Sequence, residues 1–207
     1  MISYSQYRQD IWLSENIFKN INNGFFVEIG AHDGVQNSNT KHFEDIGWDG
    51  ICIEPSPSRF QELVNNRSCY CENVALYDTE GTVQFMDIFG YGKQLSGIVD
   101  AYEDRMLSRI KRELNNPGNR GYKIEHIKCV KFSTILQKYD VRHVDFCSID
   151  AEGAEMNILL GVDLNSVEID VFMIENNYNN SEVKDFLTDH GYIKKHSIRQ
   201  DDIYTRG

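Results

Sequence analysis

Residues 25–34 read Phe25-Phe26-Val27-Glu28-Ile29-Gly30-Ala31-His32-Asp33-Gly34. An apolar run that ends in an acid, followed by two glycines four positions apart, predicts a buried strand that stops at a tight turn and enters a helix. Turns of this kind open the ligand site of doubly wound α/β folds. Gly30 would let backbone approach closely without a Cβ in the way, and Gly34 would supply positive φ or close strand-to-helix packing. The spacing is G-x-x-x-G and not the G-x-G-x-x-G that cradles a diphosphate. Glu28, inside the strand end, is placed to accept hydrogen bonds from a ligand ammonium.

Working outward, the next apolar strand is Gly50-Ile51-Cys52-Ile53, and it ends in Glu54-Pro55-Ser56-Pro57. An acid at the tip of the second strand of a βαβ unit is positioned for both hydroxyls of an adenosine ribose, and Pro55 stops the strand. An adenosine that also carries an amino group is S-adenosylmethionine, and that is the cofactor these two strand ends predict.

Five segments in order resemble one known family, the FkbM-type S-adenosylmethionine-dependent methyltransferases. They are Val27–Gly34; Ser38-Asn39-Thr40 with Gly47-Trp48-Asp49-Gly50; Ile53-Glu54-Pro55; Asn73-Val74-Ala75-Leu76; and Ser148-Ile149-Asp150-Ala151-Glu152-Gly153-Ala154-Glu155. Ser5–Asp10 extends the likeness towards the N-terminus, so it covers nearly the whole chain. The resemblance implies a Rossmann-like class I methyltransferase fold, an α/β architecture whose seven-stranded, mostly parallel sheet carries helices on both faces. It implies O-methylation, with a sugar hydroxyl of a glycan or glycoconjugate as the commonest acceptor. The residues expected against S-adenosylmethionine, or its product S-adenosylhomocysteine, are Gln9, Glu28, Gly30, Ala31, Asp33, Gly34, Asn39, Glu54, Pro55, Ser56, Asn73, Val74 and Asp150.

The bulk properties agree with an enzyme of this size. The 207 residues, 41% of them hydrophobic, suffice for the core of one α/β domain. A net charge of -11 argues against a nucleic-acid partner, which calls for a basic face, and favours a small-molecule or glycan acceptor. Five cysteines leave an odd one, and without a second Cys or His pair at ligand spacing Cys69 and Cys71 read as structural thiols in a reducing, cytoplasmic setting. No apolar run approaches membrane-spanning length. Met1 could be either a natural start or the cut edge of a larger protein.

Along the chain, residues 5–21 predict a helix whose Gln6, Gln9 and Asp10 face the methionine end of the cofactor or else solvent. A helix follows from Ser38 to Ile46, another over 57–66, and Tyr70–Leu76 predicts a third strand with Asn73 on the adenine edge. Between Gly81 and Phe132 the pattern breaks. Thr82–Ile88 alternates as an added strand, Lys128–Phe132 as its partner, with loops and a helix at about 99–114 between them. This insert is expected to recognise the acceptor, with Tyr91, Ser96, Tyr102, Arg105, Arg109 and Arg120 as candidate contacts. Val144–Ile149 and Asp170–Ile174 predict two further core strands, Ser181–His190 a helix, and residues 191–196 and 202–205 a closing strand pair.

Asp150, delivered to the carboxyl edge by its strand, is the expected general base, with Glu152 and Glu175 as alternatives or as groups that orient a sugar hydroxyl. Glu155 reads as a helix N-terminal charge answering the macrodipole. His32 and His126 are further candidates for proton transfer. Asp150, Glu175 and Asn176 offer oxygens of the kind Mg²⁺ accepts, so a metal is possible but not favoured, because a sulfonium already makes its methyl group electrophilic. The rival from another class is a catalytically silent module of the same fold that binds a glycan or protein.

Overall fold

The computed structural model describes residues 2–207, so Met1 and the question of the chain's start lie outside the described residues. In chain order the strands are β1 (Phe25–Ile29), β2 (Asp49–Ile53), β3 (Tyr70–Glu72), β4 (Ala75–Leu76), β5 (Gly81–Gly90), β6 (Gly97–Ile98), β7 (Asn119–Val130), β8 (His143–Ile149), β9 (Glu168–Glu175), β10 (Tyr192–Ile198) and β11 (Asp201–Arg206). The helices are α1 (Gln9–Asn16), α2 (Lys41–Asp45), α3 (Pro57–Asn66), α4 (Asp104–Leu114), α5 (Phe132–Lys138), α6 (Glu155–Leu160) and α7 (Glu182–Asp189).

Seven strands form the main sheet in the order β3-β2-β1-β8-β9-β11-β10. The pairings from β3 across to β9 are parallel, and β11 runs antiparallel to both of its neighbours. The result is the mostly parallel, mixed α/β sheet expected. β1, β2, β8 and β9 are buried almost throughout, because helices cover both faces and leave no polar side. Successive residues serve opposite cores: Val27 and Ile51 pack with Phe172, Leu159 and Leu187, whereas Phe26 and Cys52 pack with Leu13, Phe43, Trp48 and Leu63.

The insert departs from expectation. Tyr70–Leu76 is not one strand: β3 ends at Glu72, and β4 belongs to a second sheet of order β4-β7-β5-β6. Asn73 makes the break, its Nδ2 donating to the carbonyls of Glu54 (2.8 Å) and Pro55 (3.0 Å) and turning the chain. β5 and β7 pair antiparallel from Gly81↔Cys129 to Gly90↔Asn119, so residues 119–127, expected as loop, are strand. The outer half of β7 is exposed on both faces, which removes the apolar alternation that would have marked it. α4 begins only at Asp104, after a 3-10 turn at Val99–Ala101, and packs Met106 and Ile110 on Ile88, Leu95 and Tyr102 as a small core of the insert's own. β7 ends at Val130, and α5 follows at once from Phe132.

One buried ion pair shapes the loop after β1. Arg67, just past α3, places Nη1 3.0 Å from Glu28 and Nε 2.8 Å from Glu44, with both of its partners nearly buried. Its remaining donors reach Thr40 Oγ1 (2.9 Å) and the Gly34 carbonyl (3.2 Å). Glu28 also accepts from Ser38 Oγ, Thr40 Oγ1 and the Asn39 amide, so both of its oxygens are used within the protein. Removing one partner of such a pair strands a buried charge, at a cost of about 3–5 kcal/mol. Arg67→Leu is therefore expected to lower the urea-unfolding free energy by about that amount. A loss under about 1 kcal/mol, the range of a surface ion pair, would show the network to be dispensable.

Candidate functional site

A deep cleft opens at the carboxyl ends of β1, β2, β8 and β9. The strand tips around it are drawn very close. Gly30 stands at φ +83°, where a Cβ would come within 1.8 Å of the Asp150 carbonyl oxygen. The adjacent β8 tip thus by itself requires a glycine here, beside its place on the cleft wall. The Gly30 and Ala31 amides both donate to the Ile53 carbonyl, and the Asp150 amide to that of Ile29, so three strand ends are tied together.

Glu54 is buried between two loops, its Oε2 accepting from the His32 amide (2.8 Å) and its Oε1 from the Ser56 amide (2.7 Å). Burial pushes its carboxyl up to about 8 against these two hydrogen bonds, with Asp87 adding to the rise. Ser56 caps α3 through its hydroxyl, and Pro55, Val74, Phe85 and Ile98 complete this wall.

Across the cleft lies a second set of acids. Asp150 opens onto the cleft although protein surrounds it, and burial together with the charges of Asp201 and Glu155 pushes its carboxyl up to about 7. One carboxylate oxygen each of Asp150, Glu152 and Glu175 lies within 4.8 Å of the others. Burial, then the Asp150 charge, raises both glutamates well above the ordinary carboxylate range. Glu155 turns away and accepts from the Ala151 and Gly153 amides, the helix-start role foreseen for it.

Of the expected cofactor residues, Gln9, Glu28, Gly30, Ala31, Asn39, Glu54, Pro55, Ser56, Val74 and Asp150 line the cleft. Asp33, Gly34 and Asn73 do not. Asp33 accepts from the Val35 and Gln36 amides, Gly34 (φ +80°) makes room for Arg67 and Leu63, and Asn73 is committed to the Glu54 and Pro55 carbonyls. Glu28 reaches the wall with its oxygens already taken, so its foreseen grip on an ammonium is filled by Arg67 and the 38–40 loop. Asp10 instead gathers Ser3, Tyr4 and Ser5. From the insert, Ser96 and Arg109 reach the cleft; Tyr91, Tyr102, Arg105 and Arg120 are not on its wall. His32 lines the cleft with both ring nitrogens buried and without a hydrogen-bond partner, while His126 lies on β7 away from it.

Asp201 and Gln200 escaped the sequence reading. Asp201 is buried on the wall and accepts from Gln9 Nε2 at 2.5 Å. A signal was available: β11 is the reversed strand, so its beginning, not its end, comes to the ligand edge.

The profile of the methyltransferase FkbM domain matches residues 28–194. Among solved structures, the METTL16 methyltransferase domain is similar over 95% of this chain and 65% of its own (12% identity, TM-score 0.49). M. capricolum TrmK in complex with S-adenosyl-homocysteine is similar over 99% and 67% (9% identity, TM-score 0.48). The ribosomal protein L11 methylase of Lactobacillus delbrueckii subsp. bulgaricus is similar over 97% and 78% (9% identity, TM-score 0.46). No curated protein matches the sequence. Among the described residues no helix is long and apolar enough to cross a membrane.

The raised acids set a pH dependence. Glu54 and Asp150 hold their protons to about 8 and about 7 in the folded chain, whereas unfolded carboxyls release theirs near pH 4, at about 3.9–4.3. The folded state therefore binds more protons across that window, and the stability these groups contribute is present at low pH and lost as pH rises through 7 to 8. The thermal midpoint of the ligand-free protein is expected to fall between pH 6 and 8.5, with a shallower slope in Glu54→Gln. A midpoint that climbs over this range in the wild type would contradict the assignment.

Proposed function

This chain belongs to the FkbM methyltransferase family, and from that premise we propose that it transfers the methyl group of S-adenosylmethionine to a sugar hydroxyl of a glycan or glycoconjugate. It is an S-adenosylmethionine-dependent methyltransferase; the acceptor and the residue roles are the proposal. The observation that carries it is the pair of acidic strand tips, Glu54 and the Asp150 group, on opposite walls of one cleft.

Glu54 takes the ribose hydroxyls, whose donors favour the charged carboxylate, between the walls of Ala31, Pro55, Ser56 and Val74. Gln9 and Asn39 face the methionine end, and Asn39 Oδ1 is buried with no partner in the free protein. Glu28, Asp33, Gly34 and Asn73 act indirectly, by holding the loops that form the site.

On the opposite wall, the acceptor oxygen attacks the methyl carbon in line with the sulfur. The O–C bond forms, the C–S bond breaks, and the sulfonium leaves as a neutral thioether. Positioning the two reactants supplies much of the rate. The hydroxyl proton passes to Asp150, whose elevated carboxyl suits a base working near neutrality, while Glu152 and Glu175 accept hydrogen bonds from the sugar. A chain of net charge -11 with several acids at the cleft favours an acceptor without phosphates.

Glu54→Ala is expected to weaken S-adenosylhomocysteine binding by calorimetry, since it removes the ribose acceptor. Asp150→Asn is expected to retain binding and lose turnover by about 10²–10⁴-fold. In the wild type, kcat should rise with pH through about 7. Incubation with a panel of sugars and glycosides, read by mass and NMR, identifies the methylated position. Methylation confined to amines or nucleic acids would end the sugar-hydroxyl reading.

A further inference from the structure

Several enclosed acids away from the cleft floor are matched by cations or hydrogen-bond donors. Glu28 and Glu44 share Arg67, Lys41 adds to Glu44, and Asp10 is surrounded by hydroxyl and amide donors. A second acidic group, at the opposite end of β8, has hydrogen-bond partners of its own, with His143 Nε2 3.0 Å from Asp170 and the Phe25 amide 2.7 Å from Asp145. The trio at the cleft has no such partner. Among the described residues no Lys, Arg or His forms an ion pair with Asp150, Glu152 or Glu175.

The arrangement is nonetheless a built one. The three side chains come from three places: the tip of β8, the turn after it, and the end of β9. Glu152 stands at φ +51°, a left-handed conformation that costs a non-glycine residue energy and here aims its carboxylate at the other two. Its Oε2 is wholly enclosed and has no hydrogen-bond partner. A carboxyl oxygen sealed from water with no hydrogen-bond partner is costly, and a ligand that meets it removes the cost.

We propose that Asp150, Glu152 and Glu175 bind a divalent cation of the Mg²⁺ class, which takes two neighbouring oxygens of the acceptor as further ligands. Three carboxylate donors and no sulfur or imidazole select a hard cation. The three oxygens lie within 4.8 Å of one another, inside the span of about 5 Å that two ligands of one Ca²⁺ can reach and a small side-chain closure away from the about 4.2 Å of Mg²⁺. Three protein ligands leave about three of six positions open, enough for a vicinal diol and a water.

This inference rests on the hydroxyl-acceptor reading above and narrows it to acceptors with two adjacent oxygens. A cation-bound hydroxyl loses its proton more readily, and the proton passes to the carboxylate oxygen of Asp150 that is not on the metal. Bond making and breaking at carbon and sulfur are unchanged. The electrophilicity of the sulfonium makes a metal unnecessary on the donor side, but this cation acts on the acceptor.

The test is a Mn²⁺ titration of the protein saturated with S-adenosylhomocysteine, followed by electron paramagnetic resonance. Wild type is expected to immobilise one Mn²⁺ per chain, displaceable by Mg²⁺. Glu152→Gln, and independently Glu175→Gln, are expected to weaken it at least tenfold while calorimetric affinity for S-adenosylhomocysteine is kept; two variants guard against one that fails to fold. Free Mn²⁺ throughout, or equal immobilisation by wild type and both variants, overturns the site. The two readings fail separately. Full methyl transfer to a sugar in EDTA removes the cation and leaves the transferase, whereas Mn²⁺ held by these acids without transfer to any diol removes the acceptor assignment and leaves the site.

Discussion

A guanidinium enclosed by protein holds the ligand side of this fold in shape. Arg67 joins Glu28 on β1 to Glu44 at α2, and its other donors pin the Gly34 carbonyl and Thr40. The loop from residue 34 to 40 has almost no regular structure, yet it forms one wall of the cleft. Arginine suits this task because its planar fork can serve several oxygens at fixed angles. The acid that the motif suggests for a ligand thus has both oxygens engaged by the scaffold although it lines the cleft.

With Glu28 occupied, the chemistry falls to acids whose charges are left unmatched. Glu54 is held by two amides and has hydrogen-bonding capacity to spare, and the Asp150, Glu152 and Glu175 group forms no ion pair with a Lys, Arg or His among the described residues, the charge of Arg109 acting on Glu152 only at longer range. A carboxylate that is buried but unpaired sits at an energy its surroundings can lower only by supplying a proton, a donor or a cation. The same fold thus contains two classes of buried acid, and their difference separates scaffold from site.

The close approach of strand tips explains why the site is compact. Gly30 lets β1 meet the Asp150 carbonyl, Asn73 ties β3 back to the Glu54 and Pro55 carbonyls, and β11 enters reversed so that its first residue, Asp201, reaches the cleft. Ligand contacts of an open parallel sheet gather at this edge because the strands end there together. The insert adds Ser96 and Arg109 from a hairpin and helix with a small core of their own.

How much of this was legible in the sequence follows from where each signal resides. β1, β2, β8 and β9 could be read because strands covered on both faces are near-continuous apolar runs, and Glu54, Asp150, Glu152 and Glu175 could be read because each follows or ends such a run. The exposed half of β7 could not, since a strand with no buried face carries no period. Nor could the tasks of Gly30 and Glu28, which depend on Asp150 and Arg67, more than a hundred and nearly forty residues away. The sequence by itself determined the central parallel strands, their ligand edge and the acids at the tips of those strands, because strand burial and strand ends are local properties. Only the tertiary structure decided which acids meet a counter-charge and which remain unpaired, because charge pairing is a matter of distance in space.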